Sequence, residues 1–304
     1  LVLAERVATA GVDFIAVSFV RHGSDVQAVR EVVGDRARLV AKIETSVAVD
    51  NLEEFLVAAD AIMVARGDLG IDCPLEDVPH LQKAIVRRCI EYGTPVITAT
   101  QMLESMIHAP SPTRAEVTDV ANAVVDGTDG LMLSGETAIG RDPAGVVAQM
   151  ASIAERAEAE ASYRRWAQRL GRVQREHWDS TSDRITAALC HAASDAAVDV
   201  EATAILCCTI TGRTAEAMAR FRPRAQLVAL SPDPSTLRRL TVSWGVDPIE
   251  VETYGSTDDM VWYAVERAAQ LGRISSGDNV VVLAGSPRRD ATTAADVLRI
   301  VSVR

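Results

Sequence analysis

Five short apolar runs recur through the first half of the chain, at 14–20 (FIAVSFV), 39–43 (LVAKI), 61–64 (AIMV), 95–99 (PVITA) and 130–133 (GLML). Each is followed by turn residues. Between them lie stretches with helical apolar spacing, at 24–33, 46–58, 78–92 and 113–125. A continuous apolar run set between helices reads as a parallel strand covered on both faces. The ends of the runs, Val20 and then the polar residues Glu44, Asp68, Thr100 and Ser134, are 24, 24, 32 and 34 residues apart. That spacing is one βα unit each, in a (β/α) barrel or an open doubly wound sheet. A closed eight-stranded barrel would need three more units.

The second half alternates with its own phase. Helices are expected at 183–198, 214–220, 234–243 and 257–271, and strands at 202–209, 226–230, 248–251, 279–284 and 297–303. Thr113 and Glu116 form a capping-box pair, and Asp142-Pro143 opens a helix running to about residue 161. A polar, arginine-rich stretch at 163–182 follows, which sets the expected domains at 1–160 and 161–304.

Composition narrows the functions on offer. The formal net charge of −11 argues against nucleic acid as a partner, because phosphate backbones call for a basic surface. No apolar run approaches the ~18 residues of a membrane span, and the first residues, with Glu5 and Arg6 inside the apolar stretch, do not read as a signal peptide. The five cysteines form no CxxC pair and read as buried, reduced thiols of a cytosolic protein, which excludes a disulfide framework or zinc ribbon. His22, His80, His108, His177 and His191 show no ligand spacing, and the four tryptophans read as packing anchors. Arg220, Arg222 and Arg224 read as a solvated or interface patch. Only two basic residues are lysines, Lys42 and Lys83, so each merits a reason that arginine would not satisfy.

In parallel α/β folds the functional groups gather where strands end. Here those ends read Lys42-Ile43-Glu44-Thr45, Arg66-Gly67-Asp68-Leu69-Gly70, Thr98-Ala99-Thr100-Gln101 and Ser134-Gly135-Glu136-Thr137. Lys42 and Glu44, two apart on a strand, project to one side. Glu44 and Asp68 at neighbouring strand ends would repel unless a cation sits between them, and two carboxylates with the other positions left to water and substrate are a magnesium arrangement. The alternative is a plain ion pair with Lys42 or Arg66. Lys42 beside such an ion would stabilise a transferring phosphoryl group or a developing enolate. Gly67 and Gly70 let the backbone approach an anion, and the Thr100 hydroxyl can donate to the same anion or simply cap a helix.

The strings AKIET, IMVARGDLG, TPVITATQMLESM and PTRAEVTDVANAVVDGTDGLMLSGETA, with GVDFIAVSFVR upstream, resemble the pyruvate kinase family, nearly unbroken from about residue 11 to 145. The second half is similar to that family's C-terminal domain. The resemblance implies the last five βα units of a TIM-type barrel followed by a separate α/β domain. It also implies Mg2+-dependent (or Mn2+-dependent) transfer of phosphoryl from phosphoenolpyruvate to ADP, giving pyruvate and ATP in glycolysis, in the cytoplasm and in a homotetramer. Residue by residue, Lys42 matches the transition-state-stabilising lysine, and Glu44 and Asp68 match the metal ligands. Gly67, Asp68 and Thr100 match the groups holding the substrate carboxylate, and Ser134 matches a residue of the proton network. Thr209-Ile210-Thr211-Gly212-Arg213-Thr214 resembles the loop for a phosphorylated effector, an arrangement in which a strand gives way to a helix N-terminus. Its companion loop at 285–293 lacks the family's glycine-rich ending. The 113–125 helix, strongly family-like, is a candidate subunit contact.

The family's first three strands and its lid domain have no counterpart in this sequence, and neither do most ligands for K+ nor much of the nucleotide site. The chain is therefore expected to be a fragment or half of a split enzyme, with little turnover alone. Two other readings stay open: a non-catalytic effector-binding remnant, and a carbon–carbon lyase on a related barrel. Intact Lys42, Glu44, Asp68 and Thr100 weigh against the first, and the GDLG and ATQMLESM strings against the second.

Overall fold

A computed structural model describes residues 1–161, 170, 181–253, 255–285 and 295–304. The chain divides into two compact units, Leu1–Ala161 and Ser162–Arg304.

The first unit opens with α1 (Val2–Thr9) and then alternates: β1 (Phe14–Val17), α2 (Gly23–Val33), β2 (Arg38–Ile43), α3 (Ser46–Asp50), α4 (Leu52–Ala58), β3 (Ala61–Ala65), α5 (Arg66–Asp72), α6 (Val78–Tyr92), β4 (Val96–Ala99), a 3-10 turn (Glu104–Ile107), α7 (Arg114–Asp126), β5 (Gly130–Met132), α8 (Gly135–Ala138) and α9 (Pro143–Glu160). The strands pair in parallel in the order β1-β2-β3-β4-β5. Strand order that follows chain order is what a barrel wall requires; a doubly wound sheet would reverse direction. Every residue of β3 is buried, as its unbroken apolar run demands. On one face of the sheet Val40, Ala61, Met63 and Ala99 cluster, with Phe14, Ile97 and Met132 half-buried against them. Lys42 follows Val40 by two residues and pairs in register with Met63, so it stands on this same face at its C-terminal end.

The helix ends follow local chemistry. The Thr113 hydroxyl accepts from the Glu116 amide while Glu116 reaches back to the Thr113 amide, the reciprocal box its sequence spells. Asp142 caps α9 through the Gly145 amide at 2.9 Å. The apolar stretch at 46–58 is two helices and not one, broken at Asn51, whose side-chain amide donates to the Arg21 carbonyl. β1 stops at Val17, three residues short of its apolar run, because Phe19 turns into the left-handed region at φ 54°.

The second unit runs α10 (Thr181–Asp199), β6 (Ala204–Cys208), α11 (Arg213–Ala219), β7 (Gln226–Ser231), α12 (Pro234–Leu240), β8 (Val246–Glu250), α13 (Thr257–Gln270), β9 (Asn279–Gly285) and β10 (Ala295–Ser302). Its sheet has the order β10-β9-β6-β7-β8, with β10 antiparallel. Here the strand order does reverse, between β6 and β9, the switch point at which such sheets hold ligands. The core packs β6, β7 and β9 against Val261, Ala264, Val265 and Ala268 of α13.

Three expectations from the sequence need correction. Cys89, Cys190, Cys207 and Cys208 are buried, but Cys73 is partly exposed. Arg220 and Arg222 are buried rather than solvated, with the Arg222 guanidinium 4.8 Å from the Trp244 ring centroid; Arg224 alone of the three is exposed. Trp262 is mostly exposed on α13 rather than a buried packing anchor. Trp166, Trp178, His177 and the arginine-rich stretch at 163–182, bar its last two positions and Leu170, lie outside the described residues, as does the companion effector loop beyond Gly285.

Candidate active site

The C-terminal ends of β2, β3 and β4 bring the site together. Glu44, one residue past β2, is 1% exposed, a burial that a carboxylate tolerates only with partners. The Phe19 amide donates to its Oε2. Its Oε1 lies 2.6 Å from Lys42 Nζ, a buried ion pair that is the only partner this oxygen has among the described residues. Lys42 also donates to Ser18 Oγ at 2.9 Å. The ion-pair alternative therefore holds between Glu44 and Lys42, while Arg66 turns elsewhere. Ser18 and Phe19 were not singled out from sequence; a serine interrupting the FIAVSFV run is the signal that was there to find.

Asp68 sits in the first turn of α5, so it reaches the strand ends from a helix and not from an extended tip. β2 and β3 are neighbours in register, Ile43 opposite Val64, which sets their ends about 4.8 Å apart. Asp68 is half-buried, and among the described residues its carboxylate makes no hydrogen bond or ion pair. No group of three or more His, Cys, Asp or Glu side chains gathers to hold a metal ion among the described residues. An ion here would draw on the Glu44 and Asp68 carboxylates, and on water and substrate for the rest. That donor set fits Mg2+ or Mn2+.

Gly67 lies against Thr100. The Gly67 amide donates to Thr100 Oγ1 at 2.8 Å, and the Thr100 hydroxyl in turn donates to the Ala99 carbonyl at 2.6 Å. A Cβ on Gly67 would meet that Oγ1 at 3.4 Å, an ordinary contact, so the close approach does not itself require glycine. Thr100 and Gln101 both have positive φ, 68° and 53°, a rare conformation for β-branched threonine above all. Arg66, 7% exposed, holds these two residues by their carbonyls. Its sequence signal was a charge set directly against a fully buried strand.

Ser134 precedes α8; its amide donates at 2.8 Å to Glu136, a buried carboxylate that also accepts from the Leu103 amide at 3.1 Å. In the second unit Thr209 Oγ1 accepts from the Gly212 amide at 2.9 Å, closing the turn that leaves β6. Thr209, Gly212 and Thr214 are buried, whereas Thr211 and Arg213 are exposed. Of the five candidate effector residues, then, three shape the loop and two face outward.

Residues 4–147 match the family described as pyruvate kinase, barrel domain, and residues 187–301 match pyruvate kinase, alpha/beta domain. Among curated relatives, the pyruvate kinase of Clostridium acetobutylicum is 44% identical over 281 residues, covering 91% of this chain and 58% of its own length. That of Geobacillus stearothermophilus is 43% identical, covering 91% of this chain and 47% of its own. A crystal structure of a pyruvate kinase from Cryptosporidium parvum superposes with a TM-score of 0.90 at 33% identity, covering 99% of this chain and 61% of that one. The chain thus spans about half to three-fifths of the length of the relatives it matches. With both halves matched, the chain belongs to the pyruvate kinase family.

Proposed function

We propose that this chain carries the metal-binding and phosphoenolpyruvate-binding part of a pyruvate kinase, acting in Mg2+-dependent phosphoryl transfer from phosphoenolpyruvate to ADP. The observation that supports it best is the buried Glu44–Lys42 ion pair at the end of β2, with the half-buried Asp68 carboxylate just past the neighbouring β3 making no hydrogen bond or ion pair among the described residues. A protein that wanted only a stable strand end would gain little from burying an ion pair there.

In this reading Glu44 and Asp68 hold the cation. When bound, it would neutralise charge on the substrate's phosphoryl and carboxylate oxygens and on the enolate left after transfer. Lys42 supplies a compact positive charge to the oxygens of the phosphoryl group in flight, a role for which its three donors suit it better than a planar guanidinium. The Lys42–Ser18 hydrogen bond fixes where that charge points. At the carboxylate end, the Thr100 hydroxyl has to rotate away from the Ala99 carbonyl to donate to substrate. That hydroxyl is satisfied by the Ala99 carbonyl and would exchange one acceptor for another on binding. Ser134 belongs to the proton network that turns enolpyruvate into pyruvate. In the second unit Thr211 and Arg213, by the switch point of the sheet, offer a hydroxyl and a guanidinium to a phosphorylated effector.

The test is binding rather than turnover. Mn2+ takes the place of Mg2+, followed by electron paramagnetic resonance, with phosphoenolpyruvate added to the full chain and to Glu44→Gln and Asp68→Asn. The expected result is phosphoenolpyruvate binding that requires Mn2+ and weakens at least tenfold in both variants. Binding that ignores the metal, or that survives both substitutions, refutes the assignment.

A further inference from the structure

Arg66 is a buried arginine that touches none of the three charged residues beside it in the site. Its guanidinium points instead beneath the loop after β4. Nε and Nη2 donate to the Thr100 carbonyl at 3.2 and 2.7 Å. Nη2 also reaches the Gln101 carbonyl at 3.0 Å and the Met102 sulfur at 2.8 Å. Nη1 pairs with the Asp119 carboxylate on α7 at 2.7 Å and meets Gln82 Oε1 at 3.3 Å. One planar fork thus gathers two successive carbonyls, and those belong to the two residues of the loop with positive φ.

The next turn of the same loop is held by two carboxylates. Glu136 accepts from the Leu103 amide, and Glu116 accepts from the Ser105 amide and hydroxyl at 2.7 and 2.6 Å. Strained backbone persists where its surroundings over-determine it, and such strain gathers at working sites. With no glycine at 100 or 101 to ease their positive φ, this loop would relax to ordinary backbone unless its carbonyls were held inward.

We infer that Arg66 is a positioning residue for the proposed phosphoenolpyruvate site: by clamping the Thr100 and Gln101 carbonyls it keeps the Thr100 hydroxyl over the Gly67 amide, where the substrate carboxylate is to be received. The inference deepens the function proposed above and rests on it for the identity of the ligand. Lysine cannot serve in its place, because one ammonium cannot reach both carbonyls and Asp119 in a single plane.

The Gly67 amide is the reporter. It lies in the first turn of α5, where amides have no partner within the helix, so Thr100 Oγ1 is what protects it from exchange. In the full chain without ligand, Arg66→Lys and Arg66→Gln are expected to speed Gly67 amide exchange at least tenfold, with the Val64 amide of β3 unchanged. In the same variants Mn2+ affinity stays as in the wild type, and phosphoenolpyruvate affinity in the presence of Mn2+ falls about tenfold. Thr100→Val lowers that affinity too, and adding it to Arg66→Lys costs nothing further. Unchanged Gly67 exchange in Arg66→Lys, or fully additive losses in the double variant, overturns the inference. Faster Gly67 exchange in a chain whose wild type binds no phosphoenolpyruvate supports the clamp and refutes the proposed function instead.

Discussion

Removing either partner of the Lys42–Glu44 pair breaks the same contact, yet the two losses are expected to differ widely. At 2.6 Å and an effective dielectric of about 20, the attraction is about 6 kcal/mol before desolvation. What matters is the charge left behind. The Glu44 side chain is fully buried, whereas that of Lys42 is 22% exposed. In Lys42→Met a buried carboxylate loses its counter-charge and cannot reach water, a situation that costs about 3–5 kcal/mol. In Glu44→Gln the ammonium swings towards solvent on its flexible stem, and the glutamine oxygen still accepts from the Phe19 amide, so the loss is about 1–2 kcal/mol. The gap of about 2 kcal/mol corresponds to a roughly 30-fold difference in opening equilibrium. Native-state hydrogen exchange on peptides from β2 and β3 reads it, with peptides from β6 and β7 as internal reference. Equal losses, or a larger loss in Glu44→Gln, would show that the burial of the orphaned charge does not govern the pair.

Three further outcomes follow from other parts of the structure. Burial works to raise the Glu116 carboxyl, but hydrogen bonds from the Ser105 hydroxyl and amide and from Thr113 outweigh it and hold the group below its ordinary value. Its contribution to stability is therefore present above the unfolded-state value of about 4.3 and is lost as pH falls through the lower folded value, so the advantage of wild type over Glu116→Gln in urea midpoints should shrink on acidification. Gly212 has φ 91°, and a Cβ there would stand 3.2 Å from Leu240 Cδ2; Gly212→Ala should destabilise the second unit by about 1–2 kcal/mol, read by tryptophan fluorescence because Trp244 and Trp262 lie in it and the described first unit has no tryptophan. Burial pushes the Cys190 and Cys208 thiols up to about 12, and Cys89 and Cys207 well above the ordinary value, so a thiol reagent at neutral pH should label Cys73 first and the other four on unfolding.

Most of the architecture could be read from the chain because buried parallel strands leave unbroken apolar runs, and their ends recur at intervals of one βα unit. The capping signals at Thr113 and Asp142 were equally local, and both act as their chemistry requires. What escaped were features decided at a distance. Nothing around Phe19 marks a left-handed residue; its backbone is set by Glu44, 25 positions on. The arginines at 220 and 222 look like surface charge by composition, yet both are buried, Arg222 with its guanidinium against the Trp244 ring. Lys42 and Glu44 were legible as a pair because period-two spacing is a local rule, whereas the partner of Arg66, 53 residues away on α7, obeys no such rule.

The strain in the first unit has an address. Among its described residues, the non-glycine positions with positive φ are Phe19, Thr100 and Gln101, all just beyond the C-terminal ends of β1 and β4. The strands between them, β2 and β3, are regular, and they carry Lys42 out to the rim in an ordinary extended backbone. The work is thus divided. Regular strands deliver side chains whose reach is long, and irregular turns deliver backbone amides and a short hydroxyl whose reach is not. Each such turn costs about 1–3 kcal/mol, and each is countered by a buried charge, Glu44 under Phe19 and Arg66 under Thr100 and Gln101. Those charges are expensive to bury, and they are affordable here because each has the strained amide or carbonyl as its partner. Strain and buried charge stabilise one another in place. A change that relieves one therefore exposes the other, and the geometry of the site should resist piecemeal substitution more strongly than its individual contacts suggest.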